Sequence, residues 1–286
     1  MSNKIVAIIL GRMSSSRLPG KILADIAGQP MLTRVFTRTS RAKTLDDVIF
    51  ATTTDSSDDP VAEYCDFSGL PFTRGSLFDV LDRYYQAALQ AKADVVVRIT
   101  ADCPVIDPDL IDDVVNVVIG KSGIGHFDFA ANRLPPPWSR MYPIGLDTEV
   151  CTFAALEKAW KAATETFHRE HVMPYFYEGV MMGSKVKGQK SSLQPLTFNL
   201  EQGNSPRGFN IALLNHTTDF GDYRWTVDTP EDLEFMRQIY NRFNGRDDFS
   251  WKEVLDLVHD EPDLMKINAG VQHKTLKDID KRALKR

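Results

Sequence analysis

The stretch Leu10–Leu23, which reads LGRMSSSRLPGKIL, contains residue types suited to binding a polyphosphate. Its serines are small enough for backbone N–H groups to approach phosphate oxygens closely. Arg12, Arg17 and Lys21 supply positive charge, and an arginine can bind a phosphate through two parallel hydrogen bonds. A loop of ordinary solvated basic residues is the alternative interpretation. The other candidate phosphate-binding residues of this stretch are Gly11, Ser14 and Ser15.

The spacing of this stretch excludes two familiar phosphate-binding loops. Eight residues separate Gly11 from Gly20, where a P-loop has four, and Ile22 follows the lysine where a P-loop has Ser or Thr. The GxGxxG fingerprint of dinucleotide-binding sheets is also missing, so such a site is not expected. What remains is a long loop, turned back at Pro19 and Gly20, that suits a nucleoside triphosphate.

Two aspartates follow segments that resemble strands. Asp102 comes after DVVVRIT (94–100), and Asp228 comes after YRWTV (223–227), which we predict to be a short strand. Both carboxylates are expected at strand ends that face one crevice, where α/β sheets bind their ligands. From the residues alone, Asp228 is better explained as the N-cap of the helix that begins at Thr229.

Alternating strand and helix patterns must position these residues. Continuous apolar runs at 4–10, 47–53 and 94–100 are typical of strands buried on both faces of a parallel sheet. Strand–helix–strand repeats imply right-handed crossovers and an open α/β sheet. We predict helices at 30–42 with Pro30 first, 59–69 ending at Gly69, 78–93, 107–120 with Asp107 as N-cap, 152–164, 168–178 and 229–243.

The length of 286 residues suits one large domain with a sizeable insertion. The segments 120–145 and about 180–210 are rich in Gly, Pro and polar residues, and we predict that both are irregular. We interpret them as excursions that cover a substrate or contact a partner subunit, with ordinary surface loops as the alternative. The main domain is expected to end near residue 245, leaving a C-terminal helix and a basic tail at 246–286.

Composition excludes several classes of partner. The chain is 43% hydrophobic and 26% charged, as in a soluble globular protein, and its net charge of −5 argues against nucleic-acid binding. No apolar run approaches the ~20 residues that span a bilayer, and no secretory signal is recognisable, so we expect a cytoplasmic protein. Three cysteines without a CxxC motif suggest reduced thiols, and Cys103 is interpreted as a small buried thiol rather than a nucleophile.

Two further motifs are weak. Asp107-Pro108-Asp109 matches the DxD motif of glycosyltransferases, but Asp-Pro-Asp is also an ordinary helix start. His168 and His171 lie three positions apart on a predicted helix, yet HExxH is missing and no third zinc ligand is evident. We therefore base no function on either motif.

Several ordered motifs resemble one family. GRMSSSRLPGKIL is similar to the N-terminal signature of the sugar cytidylyltransferases, especially the SpsF-like branch of spore-coat polysaccharide biosynthesis, CMP-Kdo synthetase and the acylneuraminate enzymes. The resemblance spans about residues 4–243. The further matching stretches are ATTTDSSDDP (51–60), RGSLFDVLDRYYQAA (74–88), RITADCPVIDPDLID (98–112), GLDTEV (145–150), REHVMPYFYE (169–178) and RWTVDTPEDLE (224–234).

This resemblance implies a fold and a reaction. The family fold is a Rossmann-like, GT-A-like nucleotidyltransferase with a mostly parallel sheet and an inserted substrate and dimerisation segment, so a homodimer is expected. The nucleotidyltransferase domain would occupy residues 1–245. Its members use Mg²⁺ to couple CTP to a sugar or sugar acid with release of pyrophosphate. A guanylyl- or uridylyltransferase of a sugar 1-phosphate, and a nucleotide-sugar-dependent glycosyltransferase, remain as alternatives.

The resemblance also assigns roles to residues. Asp102 and Asp228 would bind the metal and, with Arg12 and Lys21, form the catalytic set. TADCP stands where CMP-Kdo synthetase has a Gln-Gly-Asp pattern, which leaves the acceptor open. The nucleotide would be bound by Gly11, Arg12, Ser14, Ser15, Arg17, Lys21, Thr53, Arg74, Ser76 and Asp102. The sugar would be bound by Arg133, Asp147, Glu149 and His171, with Arg207 as a further candidate on that side.

Overall fold

The computed structural model describes residues 3–121, 125–136, 138, 140–186 and 198–272. These residues form an α/β fold with one nine-stranded sheet and a small two-stranded ribbon. The strands are β1 (Ile5–Leu10), β2 (Asp25–Ile26), β3 (Gln29–Pro30), β4 (Asp47–Thr53), β5 (Phe72–Gly75), β6 (Val95–Thr100), β7 (Phe129–Ala131), β8 (Glu149–Thr152), β9 (Met181–Val186), β10 (Phe198–Asn204) and β11 (Asn210–His216). The helices are α1 (Met31–Thr39), α2 (Asp59–Ser68), α3 (Val80–Ala91), α4 (Pro108–Val118), α5 (Phe153–Ala162), α6 (Thr166–His171), α7 (Pro174–Tyr177), α8 (Pro230–Arg242) and α9 (Trp251–Asp260).

The first half of the chain builds the parallel part of the sheet. Its strand order is β5-β4-β1-β6, and every neighbouring pair is parallel. Side chains of β1 alternate between two hydrophobic clusters: Ala7 and Ile9 join one, and Val6 and Ile8 join the other. Both faces of this central strand are therefore buried, as the continuous apolar run predicted. The predicted α/β class is confirmed.

The second half extends the sheet in the order β8-β7-β11-β10-β9. β8 is antiparallel to both β6 and β7, β10 is antiparallel to β11 and β9, and β7 is parallel to β11. The prediction of irregular structure at 180–210 is therefore wrong for β9 and β10. In β10, buried Phe198 and Leu200 alternate with more exposed neighbours, a period-2 pattern that the flanking Gly and Lys residues obscured. Residues 187–197 lie outside the described part of the chain.

Several element boundaries differ from the predictions. Pro30 precedes the first residue of α1 rather than beginning the helix, and α3 starts at Val80 with Asp79 as its N-cap. The helix expected at 168–178 is divided into α6 and α7 by Val172, whose φ of 65° is left-handed. The segment 223–227 is not a strand, because only Arg224 forms a bridge there, with Ile144.

A buried arginine of α1 binds the segment between α8 and α9. The guanidinium of Arg38 is fully buried and donates hydrogen bonds to the carbonyls of Ile106, Asp247 and Phe249. The helix expected after residue 245 is α9, which begins after Ser250 with a capping box. The basic tail from residue 273 onward lies outside the described residues. Among the described helices, none combines the length and apolar character needed to cross a bilayer.

Candidate functional site

The predicted phosphate loop lies between β1 and a short 3-10 turn at Lys21–Leu23. Gly20 has a φ of 74° and donates its N–H to the carbonyl of Met13 at 2.8 Å, which turns the loop back. The N–H of Met13 in turn donates to the buried carboxylate of Asp58 at 2.6 Å. At Gly11 a Cβ atom would lie 2.7 Å from the Cβ of Ala101 and 3.0 Å from the ring of Phe50, so the packing of these side chains requires glycine there.

Lys21 joins the two predicted carboxylates. Its Nζ donates to Asp102 Oδ2 at 2.8 Å, to Asp228 Oδ1 at 3.0 Å and to the carbonyl of Val227 at 2.7 Å. These three contacts use all three donor positions of an ammonium group. Burial lowers the pKa of Lys21, but the carboxylates of Asp102 and Asp228 outweigh burial and raise that pKa above its ordinary value. Lys21 is therefore a charged link at the centre of the site.

Asp228 is surrounded by positive charge. Its Oδ2 lies 2.8 Å from Nη2 of Arg17 and 2.9 Å from Nη2 of Arg224, while its Oδ1 accepts from Lys21. Burial raises the pKa of Asp228, but these three cations prevail and lower the pKa to about 2. Asp228 is consequently ionised at neutral pH.

The N-cap interpretation of Asp228 is wrong, because Thr229 caps α8. The Thr229 hydroxyl accepts from the N–H of Asp232, and the Asp232 carboxylate accepts from the N–H of Thr229, which forms a capping box. Asp232 is fully buried and also binds Arg224 through two hydrogen bonds of 2.9 Å. The carboxylate of Asp228 is thereby left to face the phosphate loop.

The two carboxylates match Mg²⁺ in donor type. Carboxylate oxygens are the ligands that Mg²⁺ prefers, and the ion usually takes one or two of them together with waters and phosphate oxygens. Around Asp102 Oδ1 the described residues supply only the weak Cys103 thiol donor, at 3.7 Å. Both oxygens of Asp228 already accept from cationic side chains. No group of three or more His, Cys, Asp or Glu suited to a metal occurs among the described residues. The donor set therefore fits an ion that is also held by phosphate oxygens.

Other loop residues divide into those that brace the loop and those available to a ligand. The Ser15 hydroxyl accepts from the N–H of Leu18 at 3.4 Å, whereas the Ser14 hydroxyl is buried without a hydrogen-bond partner in the described structure. Arg83, a residue of α3, lies close enough to Arg12 for the charge of Arg12 to act on it. Burial, with the repulsion of Arg12, lowers the pKa of Arg83 to about 10. Arg83 therefore adds positive charge on the side of the loop where Arg12 lies.

The residues predicted near the nucleobase lie at the carboxyl ends of β4 and β5. Thr53 is fully buried and donates its hydroxyl to Asp58, and its carbonyl accepts from Nε of Arg74 at 2.7 Å. Arg74 also donates to the carboxylate of Asp59 at 2.7 Å. The Ser76 hydroxyl accepts from the N–H of Asp79 at 3.0 Å. Arg74 thus holds the turn after β4, whose Asp58 contacts the phosphate loop, and Ser76 braces the start of α3.

The predicted acceptor side surrounds a buried ion pair. Glu149 on β8 binds the guanidinium of Arg98 on β6. Burial and the charge of Arg98 lower the pKa of His171 to about 4, and its Nε2 is buried without a partner among the described residues. Burial and the charge of Glu149 raise the pKa of Tyr177, whereas the charge of Arg133 acts to lower it. Tyr177, Glu149 and Arg133 therefore lie near one another. The structure therefore brings Arg133, Glu149 and His171 together around Arg98.

Asp147 connects this region to the surroundings of Asp102. It forms a two-bonded ion pair with Arg140, one bond of which is 2.8 Å long. The charge of Asp147 acts on Cys103, whose pKa is raised well above its ordinary value by burial and by the adjacent Asp102. Cys103 is a buried neutral thiol, as the sequence predicted.

The two histidines of α6 face different surroundings. His168 Nε2 lies 2.9 Å from Glu178, which also binds Arg207 at 2.9 Å. His171 instead lies within the influence of Arg98. Arg207 packs over the ring of Tyr175, 4.6 Å from its centroid. Arg207 is therefore tied into a peripheral network with Glu178.

At the carboxyl edge of the sheet, the loop after β1 lies against two aspartates that Lys21 links. This arrangement is typical of a nucleotidyltransferase, and the chain is an enzyme of this class. More narrowly, the sequence model of the cytidylyltransferases matches residues 6–242, so the chain belongs to the cytidylyltransferase family.

Individual proteins extend this result over nearly the whole chain. An uncharacterised protein, MJ1063 of Methanocaldococcus jannaschii, is 31% identical over 277 residues, covering 97% of this chain and 99% of that protein. The spore coat polysaccharide biosynthesis protein SpsF of Bacillus subtilis is 27% identical over 266 residues, or 91% of this chain and 96% of SpsF. The solved structure of a cytidylyltransferase from Leptospira borgpetersenii has a TM-score of 0.76 at 27% identity and covers 96% of this chain and 99% of its own. The resemblance to the SpsF-like cytidylyltransferases is confirmed.

Sequence reasoning missed several charged residues of the site. Arg83, Arg98 and Arg224 all lie within stretches that match the family, which is the signal that could have found them. Asp58 lies at the start of α2 in ATTTDSSDDP, where an aspartate is common for structural reasons alone. Asn268 lies in a region without any recognisable motif.

Proposed function

We propose that this enzyme transfers the cytidylyl group of CTP to a hydroxyl group of a sugar or sugar acid and releases pyrophosphate. The observation that carries this proposal is the contact of Lys21 with both Asp102 and Asp228 beside the phosphate loop. This arrangement supports the proposal, because fixed positive and negative groups lie beside the loop that would bind the triphosphate. Membership of the cytidylyltransferase family supports CTP as the nucleotide.

The chemistry is an in-line displacement at the α-phosphorus. A bond forms between the acceptor oxygen and the α-phosphorus, the bond to the β-phosphate oxygen breaks, and pyrophosphate leaves with that electron pair. The proton of the hydroxyl passes to solvent. Catalysis of such a transfer consists mainly of positioning and charge stabilisation. Arg12, Arg17 and Lys21 supply the charge that balances the triphosphate and the departing pyrophosphate.

Magnesium is part of this proposal. Asp102 and Asp228 would hold the ion, which supplies further positive charge to the triphosphate when bound. Arg17 and Lys21 already contact the Asp228 carboxylate, so the same cations would stand next to the phosphate oxygens. Asp102 offers the more accessible carboxylate, with 27% of its side chain exposed against 19% for Asp228.

The two remaining regions would recognise base and acceptor. Thr53, Arg74 and Ser76 form the turns next to the loop, and we assign the nucleobase to them. Around Arg98, the groups Arg133, Glu149 and His171 form a polar lining suited to hydroxyl and carboxylate groups of a sugar acid. Asp147, whose charge acts on Cys103 next to Asp102, is assigned to the acceptor side as well. The similarity to SpsF supports a role in surface polysaccharide biosynthesis, and we expect a homodimer in solution.

The decisive experiment measures pyrophosphate release with Mg²⁺ for CTP, GTP, UTP and ATP against a panel of sugar acids and sugar phosphates. We expect release with CTP that requires an acceptor. Asp102→Asn and Asp228→Asn should each reduce turnover by about 10²–10³, the typical effect of losing a preorganised charge-stabilising group. Asp109→Asn is the matched control, because that side chain is 80% exposed and lies on α4.

Three outcomes would contradict the proposal. Selective release with another nucleotide would retain a nucleotidyltransferase but remove CTP. Transfer of sugar from a nucleotide sugar, without pyrophosphate, would indicate a glycosyltransferase. Equal activity in Asp109→Asn, Asp102→Asn and Asp228→Asn would show that the lysine-linked carboxylates are not the reaction centre.

A further inference from the structure

The C-terminal residues of the described chain contact the residues that surround Asp228. Residues 262–272, which we call the C-terminal strap, begin with a 3-10 turn at Pro262–Lys266 and are anchored by Leu264, which is buried in the main hydrophobic cluster. The family match ends at residue 242, so the strap lies outside the region that defines the family. Its contacts with the site are therefore additional to the shared motifs.

Asn268 is a deeply buried polar residue of the strap. It is 3% exposed, and its Nδ2 donates to the carbonyl of Arg224 and to Asp232 Oδ1, both at 3.1 Å. Arg224 and Asp232 are the two residues that hold Asp228. Nη2 of Arg224 binds the Asp228 carboxylate at 2.9 Å, and Asp232 Oδ2 accepts from the Asp228 N–H at 3.0 Å. Asn268 thus contacts both supports of a carboxylate that it does not itself touch.

A second contact joins the strap to the phosphate loop. Nη1 of Arg17 donates to the carbonyl of Gln272 at 3.3 Å, while Nη2 of the same guanidinium lies 2.8 Å from Asp228. Arg17 is thereby oriented from two directions, by the strap and by the carboxylate. The strap consequently contacts the supports of Asp228 on one side and its cationic partner on the other.

We propose that the C-terminal strap is a working part of the nucleotide site and that Asn268 is a positioning residue that acts through Asp228. This inference rests on the proposed function, since it assigns the strap to the same site. A neutral amide suits the position, because its two N–H donors satisfy a carbonyl and a carboxylate without adding charge. Without Asn268, Arg224 and Asp232 lose a buried partner, and the Asp228 carboxylate is no longer fixed on that side. Residues that are only ~1 Å out of place can reduce turnover about 10²-fold.

The test is a double-mutant cycle in the full-length chain. Asn268→Ala and Asp228→Asn are measured singly and together, by kcat for pyrophosphate release and by calorimetric affinity for CTP with Mg²⁺. We expect Asn268→Ala to lower kcat about tenfold and affinity severalfold in the native background. In the Asp228→Asn background it should change either quantity less than about twofold, because the residue through which it acts is gone.

Asn215→Ala is the matched control for a purely structural loss. Asn215 is also a buried asparagine bonded to a carboxylate, that of Glu201, but it lies on β11. We expect it to lower the midpoint of thermal unfolding without changing kcat or CTP affinity. Equal effects of Asn268→Ala in both backgrounds, or effects no larger than those of Asn215→Ala, would overturn the inference.

The failure of the proposed function has a different signature. A native enzyme that binds CTP but releases no pyrophosphate with any acceptor would contradict the proposed reaction, while the affinity cycle would still decide the role of the strap. A native enzyme that binds none of the four nucleotides would overturn both. Normal release with additive effects of the two substitutions would overturn the strap alone.

Discussion

Lys21 and Asp228 are 207 positions apart in the chain, yet Nζ of Lys21 lies 3.0 Å from Oδ1 of Asp228. The contact forms because the loop after β1 and the segment before α8 meet at the same edge of the sheet. It is not an isolated surface ion pair, since only 10% of the Lys21 side chain and 19% of the Asp228 side chain are exposed. The energetics and the chemistry of the site therefore depend on the same contact.

Replacing Lys21 should affect both stability and turnover. Lys21→Met retains the apolar stem but leaves Asp102 and Asp228 without their shared cation, and breaking a buried ion pair on one side costs about 3–5 kcal/mol. Because Arg17 and Arg224 still contact Asp228, we expect about 3 kcal/mol in the free energy of unfolding, measured with urea.

Lys4→Met is the control for this prediction. Lys4 pairs with Asp47, and both side chains are at least 40% exposed, so its loss should cost less than about 1 kcal/mol. Pyrophosphate release should fall about 10²–10³-fold in Lys21→Met only. If Lys21→Met unfolds at the same urea concentration as Lys4→Met, the ammonium does not link the carboxylates in solution.

The fold and the loop could be predicted from local patterns, but the partners of the charged groups could not. Continuous apolar runs indicate buried parallel strands, and the small and basic residues of Leu10–Leu23 predict an anion site, because both signals lie within a few consecutive residues. The partners of Asp228 are scattered over Arg17, Lys21 and Arg224, and Asn268 lies 40 positions after Asp228. Such contacts depend on tertiary packing, which periodicity does not encode.

The backbone at Gly145 should be intolerant of any side chain. Gly145 has a φ of +109°, and a Cβ atom there would lie 2.6 Å from the backbone C and O atoms of Trp225. Gly28 also has a positive φ, +85°, but a Cβ atom would meet nothing within 4 Å. Gly28→Ala should therefore lower the free energy of unfolding by only about 1–2 kcal/mol, the cost of the left-handed backbone conformation. Gly145→Ala should lower the free energy of unfolding by more than about 3 kcal/mol, since a clash with the Trp225 backbone is added to that strain.

The clash in Gly145→Ala should also affect turnover. Trp225 lies three residues before Asp228, so displacing its backbone should shift Asp228 and lower turnover as well as the unfolding midpoint. Thermal unfolding and pyrophosphate release of both variants would check this. Equal unfolding midpoints for Gly145→Ala and Gly28→Ala would contradict the close approach of the two segments.

His171 should make folding stability depend on pH. Burial, with Arg98 nearby, lowers its pKa in the folded protein to about 4, whereas an unfolded histidine has a pKa of about 6.5. Between these values the unfolded chain binds a proton that the folded chain does not. Stability is therefore fully present above about pH 6.5 and decreases as pH falls toward 4, by at most about 1.4 kcal/mol per pH unit from this group.

Urea unfolding at a series of pH values would isolate this contribution. In His171→Gln the slope between pH 6.5 and 4 should be shallower than in the native protein. His126→Gln, which removes an exposed histidine, serves as the comparison. An unchanged slope in His171→Gln would mean that His171 is not buried beside Arg98.

Substitutions of the adjacent Ser14 and Ser15 should have different effects, one on ligand binding and the other on the stability of the loop. The Ser14 hydroxyl is buried and has no hydrogen-bond partner in the described structure, so a buried polar group is left unsatisfied. Ser14→Ala removes that unsatisfied group, and we expect an unchanged or higher midpoint of thermal unfolding. If the hydroxyl binds a phosphate oxygen, a charge-assisted hydrogen bond of about 1.5–3 kcal/mol is lost, which corresponds to a roughly 10–150-fold weaker affinity for CTP.

Ser15→Ala should show the opposite pattern. The Ser15 hydroxyl accepts from the N–H of Leu18 within the loop, so its removal should lower the unfolding midpoint slightly. Its effect on CTP affinity, measured by calorimetry, should be smaller than that of Ser14→Ala. Because the two substitutions are chemically identical and one position apart, a reversed order of affinities would place the triphosphate away from Ser14. The expected order would instead identify the buried hydroxyl as a phosphate ligand that the fold keeps unpaired for binding.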